Sequence, residues 1–123
     1  MSVTERPERF RLEWSGFEVN LQNTLGDLRM EEDFSDVTLV SEDGHFVKAH
    51  KVLLSASSSL LDTILKKSEV DHLKPLIFLR GTKTDVLNSL LDFVYFGSVE
   101  IRGDRLDEFM ALANELKVKG SHI

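Results

Sequence analysis

Cysteine is absent from the 123 residues, which excludes a disulfide scaffold, a cysteine nucleophile and a thiolate zinc site. With two prolines there is no proline-rich or low-complexity linker, and no internal repeat is present. Basic residues are outnumbered, 15 Lys and Arg against 21 Asp and Glu, for a net charge of −6. A surface of that sign repels phosphate backbone, so direct binding of DNA or RNA is not expected. No apolar run approaches the roughly 20 residues needed to cross a bilayer. The opening MSVTERPERF has mixed charge and no apolar core, unlike a secretory signal. What is there, 41% hydrophobic and 29% charged residues, is the composition of one globular domain, expected in the cytosol or nucleus.

Catalytic constellations are missing as well. His45 and His50 lie five apart in an extended stretch, so their side chains point to opposite faces and share no metal. His50 reads better as a hydrogen-bonded structural histidine. Ser55, Ser57, Ser58 and Ser59 lack a Gly-x-Ser-x-Gly elbow and read as helix caps. The glycines are scattered, with no phosphate-cradling loop. Glu31-Glu32-Asp33 reads as a solvated helix end, and Lys66-Lys67 and Lys117-x-Lys119 are too few for a basic stripe. An enzyme, a cofactor and a metal are all unexpected.

Periodicity gives the elements. Phe10-Arg11-Leu12-Glu13-Trp14 alternates apolar and charged residues and predicts a short strand. Ser15 and Glu18 fit a capping box, opening a helix whose stripe is Phe17, Leu21, Leu25 and Leu28, weakened near its end by Gly26. Asp36–Val40 and His45–His50 flank an Asp-Gly turn and predict a hairpin; Phe46 and Lys48 share one face, with Val47 and Ala49 on the other. Lys51–Ala56 is a short helix, followed by a serine-capped one with Leu60, Leu61, Ile64 and Leu65 facing inward. Lys66–Lys74 is a polar loop, and Leu76–Leu79 a strand entered from Pro75. Thr82–Phe96 is a helix stopped by Gly97, Ser98–Ile101 a short strand, and Asp104–Val118 a helix with Asp104 as its cap. That helix should bury Leu106, Phe109, Met110, Ala113 and Leu116. Helices with a few short strands make an α+β sandwich.

The N-terminal strand is the anomaly. It carries Phe10, Leu12 and Trp14 on one face and has no hairpin neighbour, so it must pair at a distance. Ser98–Ile101 of the same chain and an equivalent edge of another chain are both open to it. Left uncovered, such a strand would aggregate.

Three blocks in order, Asp33-Phe34-Ser35-Asp36-Val37-Thr38-Leu39, Val47 through Ser57, and Phe93-Val94-Tyr95-Phe96-Gly97-Ser98-Val99, resemble the BTB/POZ domain. The likeness covers about residues 10–119. Phe10–Trp14 with Phe17, Asn20 and Leu21 is similar to the extra N-terminal segment of the tramtrack-like subgroup, found at the head of insect zinc-finger and chromatin regulators. The resemblance implies a BTB/POZ fold, a helical cluster flanked by a short β-sheet, over residues 10–120; the polar residues 1–9 before it, which carry Pro7, read as a disordered tail. It implies homodimerisation, with the N-terminal strand exchanged onto the partner's Ser98–Ile101. The dimer interface would use Phe10, Leu12, Trp14, Phe17, Leu21, Leu25, Val99 and Ile101. Higher assembly, such as a hexamer, is also implied.

By the same resemblance, Asp36 and Lys51 match the acidic and basic positions of a charged pocket near that interface; read structurally, they are a buried pair orienting the hairpin. Expected partners are the chain itself, related BTB proteins and co-regulator peptides, with no nucleic acid and no membrane, in the nucleus. An adaptor for a cullin-type ubiquitin ligase is the alternative. It is weakened by Leu65-Lys66-Lys67-Ser68, where those adaptors present glutamate, and by the lack of a downstream helical pair before Ile123. Leu60 and Leu61 replace a common aromatic, and Ser57 replaces a common cysteine, so cysteine-directed chemistry is not expected. Without linker or zinc-finger cysteines, the chain looks like a domain excised from a longer protein.

Overall fold

Three β-strands form the floor of the fold. The computed structural model describes residues 7–68 and 74–120. The central strand β1 (Val37–Val40) is rich in β-branched and apolar residues, as a strand flanked by a neighbour on each edge should be. Its antiparallel neighbour β2 (Phe46–Ala49) returns through a turn in which Gly44 takes φ 84°. On the other side β3 (Leu76–Phe78) runs parallel to β1. Register places Val37 opposite Ala49 and Leu39 opposite Val47 and Ile77, and this face meets the helices. The opposite face shows Phe46, Lys48, Leu76 and Phe78 to solvent. The hairpin and the strand after Pro75 form where they are expected, and the register decides which face of β2 turns inward, a choice the alternation alone left open.

A side-chain lock ties the hairpin turn to the helix α4 (Thr84–Phe96). The N-cap residue, Lys83, offers no side-chain hydrogen bond. Asp43 supplies it from the turn, accepting from the Thr84 N–H at 3.1 Å and the Thr84 hydroxyl at 2.7 Å. The surrounding hydroxyls, Ser41 foremost and then Thr84, hold the Asp43 carboxyl down to about 2; Thr84 makes the direct bonds. A carboxyl lowered by folding contributes stability that is complete above its unfolded value, 3.8, and is lost as pH falls toward about 2. Asp43→Asn is therefore expected to flatten the dependence of urea midpoint on pH between those values; an unchanged slope would contradict the lock.

The helix α4 is the spine. Val86, Leu87, Leu90, Leu91 and Tyr95 are buried, and Gly97, at φ 82°, ends it as a left-handed cap. Two helices, α2 (Lys51–Ser57) and α3 (Ser59–Ser68), meet at Ser58. Its hydroxyl accepts the Leu61 N–H at 3.0 Å and donates to the Leu116 carbonyl at 2.5 Å, so one of the predicted serines is indeed the cap. In α3 Leu61 and Leu65 are buried, whereas Ile64 lies at the surface and Leu60 is half-buried, which corrects the four-residue inward set. The expected loop Lys66–Lys74 starts later, because α3 runs to Ser68; residues 69–73 lie outside the described residues.

The last helix, α5 (Leu106–Glu115), is shorter than predicted and is entered through a 3-10 turn, Gly103–Arg105. Asp104 sits inside that turn, paired with Arg102, and caps nothing. Leu112 joins Phe109, Ala113 and Leu116 in the core. Beyond α5 the chain reverses through Lys117, at φ 56°, and Val118 bridges to Ser58.

Along α1 (Phe17–Glu31) no residue is fully buried. It starts after Gly16, at φ 78°, without a side-chain cap, so the Ser15–Glu18 capping box does not form. A left-handed Gly16 turns the chain into the helix directly and leaves Ser15 outside it. Leu28 packs on the core, and Gly26 lets α1 approach α4: a Cβ there would stand 2.9 Å from the Phe96 ring. The predicted strands Phe10–Trp14 and Ser98–Ile101 are not strands in the single chain, and they do not pair with each other. A strand is defined by its ladder, and neither segment has one within the chain.

Candidate interaction surface

The two unpaired segments and α1 make the most unusual surface of the molecule. Phe10, Leu12 and Trp14 are 79%, 92% and 63% exposed. Arg11 and Glu13 pair with each other at 3.0 Å, so the two interleaved charges lie on one side of the chain. The Trp14 carbonyl accepts the Phe17 N–H at 3.2 Å, and the two rings meet edge to face at 5.2 Å. Extended segment and helix thus join in one continuous apolar strip, prolonged by the exposed Phe17 and Leu21 and the half-buried Leu25. Burial of such a strip is worth about 25 cal/mol per Å².

α1 is held by its other end. Arg29 Nε lies 3.1 Å from Asp92 Oδ1, and its guanidinium also donates to Asn88 Oδ1 at 3.1 Å. Asp92 and Asn88 belong to α4, so α1 is braced while its first two turns stay uncovered. A cleft of about 660 Å³ opens between the helices, lined by Leu25, Gly26, Met30 and Phe96 among others.

Val99 and Ile101 are half-buried and pack against the core, while Ser98 and Glu100 face out. Among the described residues, neither Phe10–Glu13 nor Ser98–Ile101 makes a backbone hydrogen bond. Exposed, irregular backbone with unused donors and acceptors beside apolar side chains is a template for strand addition.

Asp36 and Lys51 do meet, but not as an ion pair. Asp36 Oδ1 accepts the Lys51 backbone N–H at 2.7 Å; among the described residues no ion pair joins their side chains. Both are only partly buried. The aspartate therefore caps α2 from the strand entrance, which corrects the buried-pair expectation: at Lys51 the backbone, not the ammonium, is the partner. Asp36→Ala is expected to cost about 1–2 kcal/mol, and Lys51→Met about 0.5 kcal/mol or less, by urea denaturation at fixed protein concentration. Equal losses would restore the ion pair.

His50 is structural, as expected. Its ring spans the Tyr95 hydroxyl, at 2.6 Å from Nδ1, and the Asp33 carbonyl, at 2.5 Å from Nε2, while its own N–H donates to Tyr95 at 3.0 Å. Burial pushes the Tyr95 phenol up to about 12. The ring anchors the loop between α1 and β1, where Glu32 and Phe34 take φ 60° and 61°. Sequence reading missed the exposure of Phe34, and it missed the outward row of Phe46, Leu76 and Phe78, whose alternation was legible only once the register of β3 was known. Among the described residues no cluster of three His, Asp or Glu could hold a metal ion.

The model of the BTB/POZ domain family matches residues 25–122. The chain is 37% identical over 113 residues to Longitudinals lacking protein-like of Drosophila melanogaster, covering 92% of this chain and 87% of that protein. It is 37% identical to Protein tramtrack, alpha isoform, and 34% identical to Protein abrupt, both of the same organism, covering 92% and 94% of this chain. The chain spans only 14% and 12% of the lengths of those two. In structure it is similar to the BTB domain of zebrafish PATZ1, with a TM-score of 0.76, 21% identity, and 90% and 89% of the two chains covered.

Proposed function

The chain belongs to the BTB/POZ domain family, and from that membership we propose that it is a homodimerisation module of a nuclear transcription or chromatin regulator, not an enzyme. The supporting observation is the apolar strip of Phe10, Leu12, Trp14, Phe17 and Leu21, which the single chain leaves exposed beside unpaired backbone. Phe10–Trp14 is exchanged between protomers and adds to the partner's Ser98–Ile101 segment. Two α1 helices then pack across the two-fold axis through Phe17, Leu21 and Leu25. A two-fold arrangement covers both copies of the strip with one surface.

The domain spans residues 10–120, its Asp36–Lys51 contact serving the fold. Its partners are a second copy, related BTB proteins and co-regulator peptides; the negative net charge disfavours direct contact with nucleic acid. Dimers, or hexamers built from them, raise the valency of any module attached to the chain, and tethered weak binders gain avidity through effective concentration. Light scattering over a dilution series tests this against the chain mass of 14.0 kDa. Twice that mass at micromolar concentration is the expected minimum, and six times would establish the higher assembly. A monomer throughout would overturn the reading.

A further inference from the structure

We infer that the charged residues on the solvent side of the exchanged strand and of its receiving segment, Arg11 and Glu13 against Glu100 and Arg102, select a second copy of this chain as the partner. This inference rests on the strand exchange proposed above. Both segments alternate: Phe10, Leu12 and Trp14 are interleaved with Arg11 and Glu13, and Val99 and Ile101 with Glu100 and Arg102. Val99 and Ile101 already face the core. A strand added there buries its own apolar row on that side, which leaves the four charged residues together on the wet side.

Each row carries one charge of each sign. In the single chain these charges are occupied only locally: Arg11 pairs with Glu13 at 3.0 Å, and Arg102 with Asp104 at 2.5 Å, all largely exposed. Glu100 has no ion-pair partner among the described residues. For antiparallel addition, of the registers that keep apolar rows aligned, the one placing Arg11 opposite Arg102 also places Glu13 opposite Glu100, and like charges directly opposed are unfavourable. A two-residue slip sets Arg11 opposite Glu100, or Glu13 opposite Arg102, and is favoured. The charges thus set register within the homodimer. They also penalise a foreign chain whose receiving segment carries the reverse order, a repulsive element of specificity.

Two variants test this. One reverses the strand (Arg11→Glu with Glu13→Arg), the other the receiver (Glu100→Arg with Arg102→Glu). Net charge is unchanged in both, and all four positions are exposed. Each homodimer then contains two mismatched ladders and is expected to dissociate about ten-fold more readily at low salt. A heterodimer of the two variants contains two matched ladders. Mixed equally, they are expected to form it at about nine-tenths of all dimers rather than the statistical half, as read by native mass spectrometry, with the preference shrinking in high salt. Placing all four substitutions in one chain is expected to restore the wild-type affinity. Statistical mixing by variants that dimerise as tightly as wild type overturns the selection. Tighter variant homodimers overturn it too, by showing the like-charge register. A wild-type monomer would instead overturn the exchange itself, so the two failures are distinguishable.

Discussion

Replacing Leu12 and Trp14 together by alanine is expected to convert the protein to a folded monomer. Both side chains are largely exposed in the single chain, at 92% and 63%, so their removal takes nothing from the core of the protomer. In the proposed exchanged dimer each would be covered twice, once per chain. Four truncated side chains at about 1.5 kcal/mol each remove about 6 kcal/mol, a rise in Kd of about 10⁴-fold. Half that burial still gives about a hundred-fold. The check is sedimentation or light scattering of the variant beside its circular dichroism. Loss of the dimer with the helical spectrum kept is expected, and a dimer of unchanged affinity would place the interface elsewhere. Trp14 is the only tryptophan, so its emission reports the same event in the wild type: diluting the dimer should shift it to the red as the ring returns to water.

How much of this was legible in the sequence follows from the range of the forces involved. The hairpin of β1 and β2 and the helix α4 were readable because alternation, an Asp-Gly turn and a terminal glycine act within a few residues. Helix boundaries set by distant partners were not. Asp43 caps α4 from 41 residues away, and Asp36 caps α2 from 15 away, while the nearby candidates Ser15 and Asp104 cap nothing. The Asp36–Lys51 contact was readable as a pairing of positions but not as chemistry, since nothing in a one-dimensional string tells a backbone N–H from an ammonium. The interaction strip was readable in composition, as three large apolar residues alternating with charges. Its pairing was not, because neither Phe10–Trp14 nor Ser98–Ile101 completes a ladder within its own chain.

Tyr95→Phe is expected to be the most damaging substitution that removes only one atom. The hydroxyl accepts the His50 N–H and, with that bond made, donates to His50 Nδ1, leaving Nε2–H to donate to the Asp33 carbonyl. His50 is buried, so no water replaces the lost oxygen. Phenylalanine keeps the ring in the core and opens no large cavity, but it orphans one donor and one acceptor. At about 1–3 kcal/mol for each unsatisfied buried group, the loss is about 2–6 kcal/mol in urea at fixed protein concentration. A loss below about 0.5 kcal/mol would mean that the bonds to Tyr95 contribute nothing net. The wild type offers a second check, because Tyr95 is the only tyrosine. Its folded phenol is raised from 10.0 to about 12, chiefly by burial. An acid held in its neutral form stabilises the fold fully below its unfolded value, and that stability drains away as pH rises from 10.0 toward about 12. Tyrosinate absorbance should therefore appear together with alkaline unfolding rather than before it. The phenylalanine variant, already weaker at neutral pH, should lose less of its remaining stability across that range.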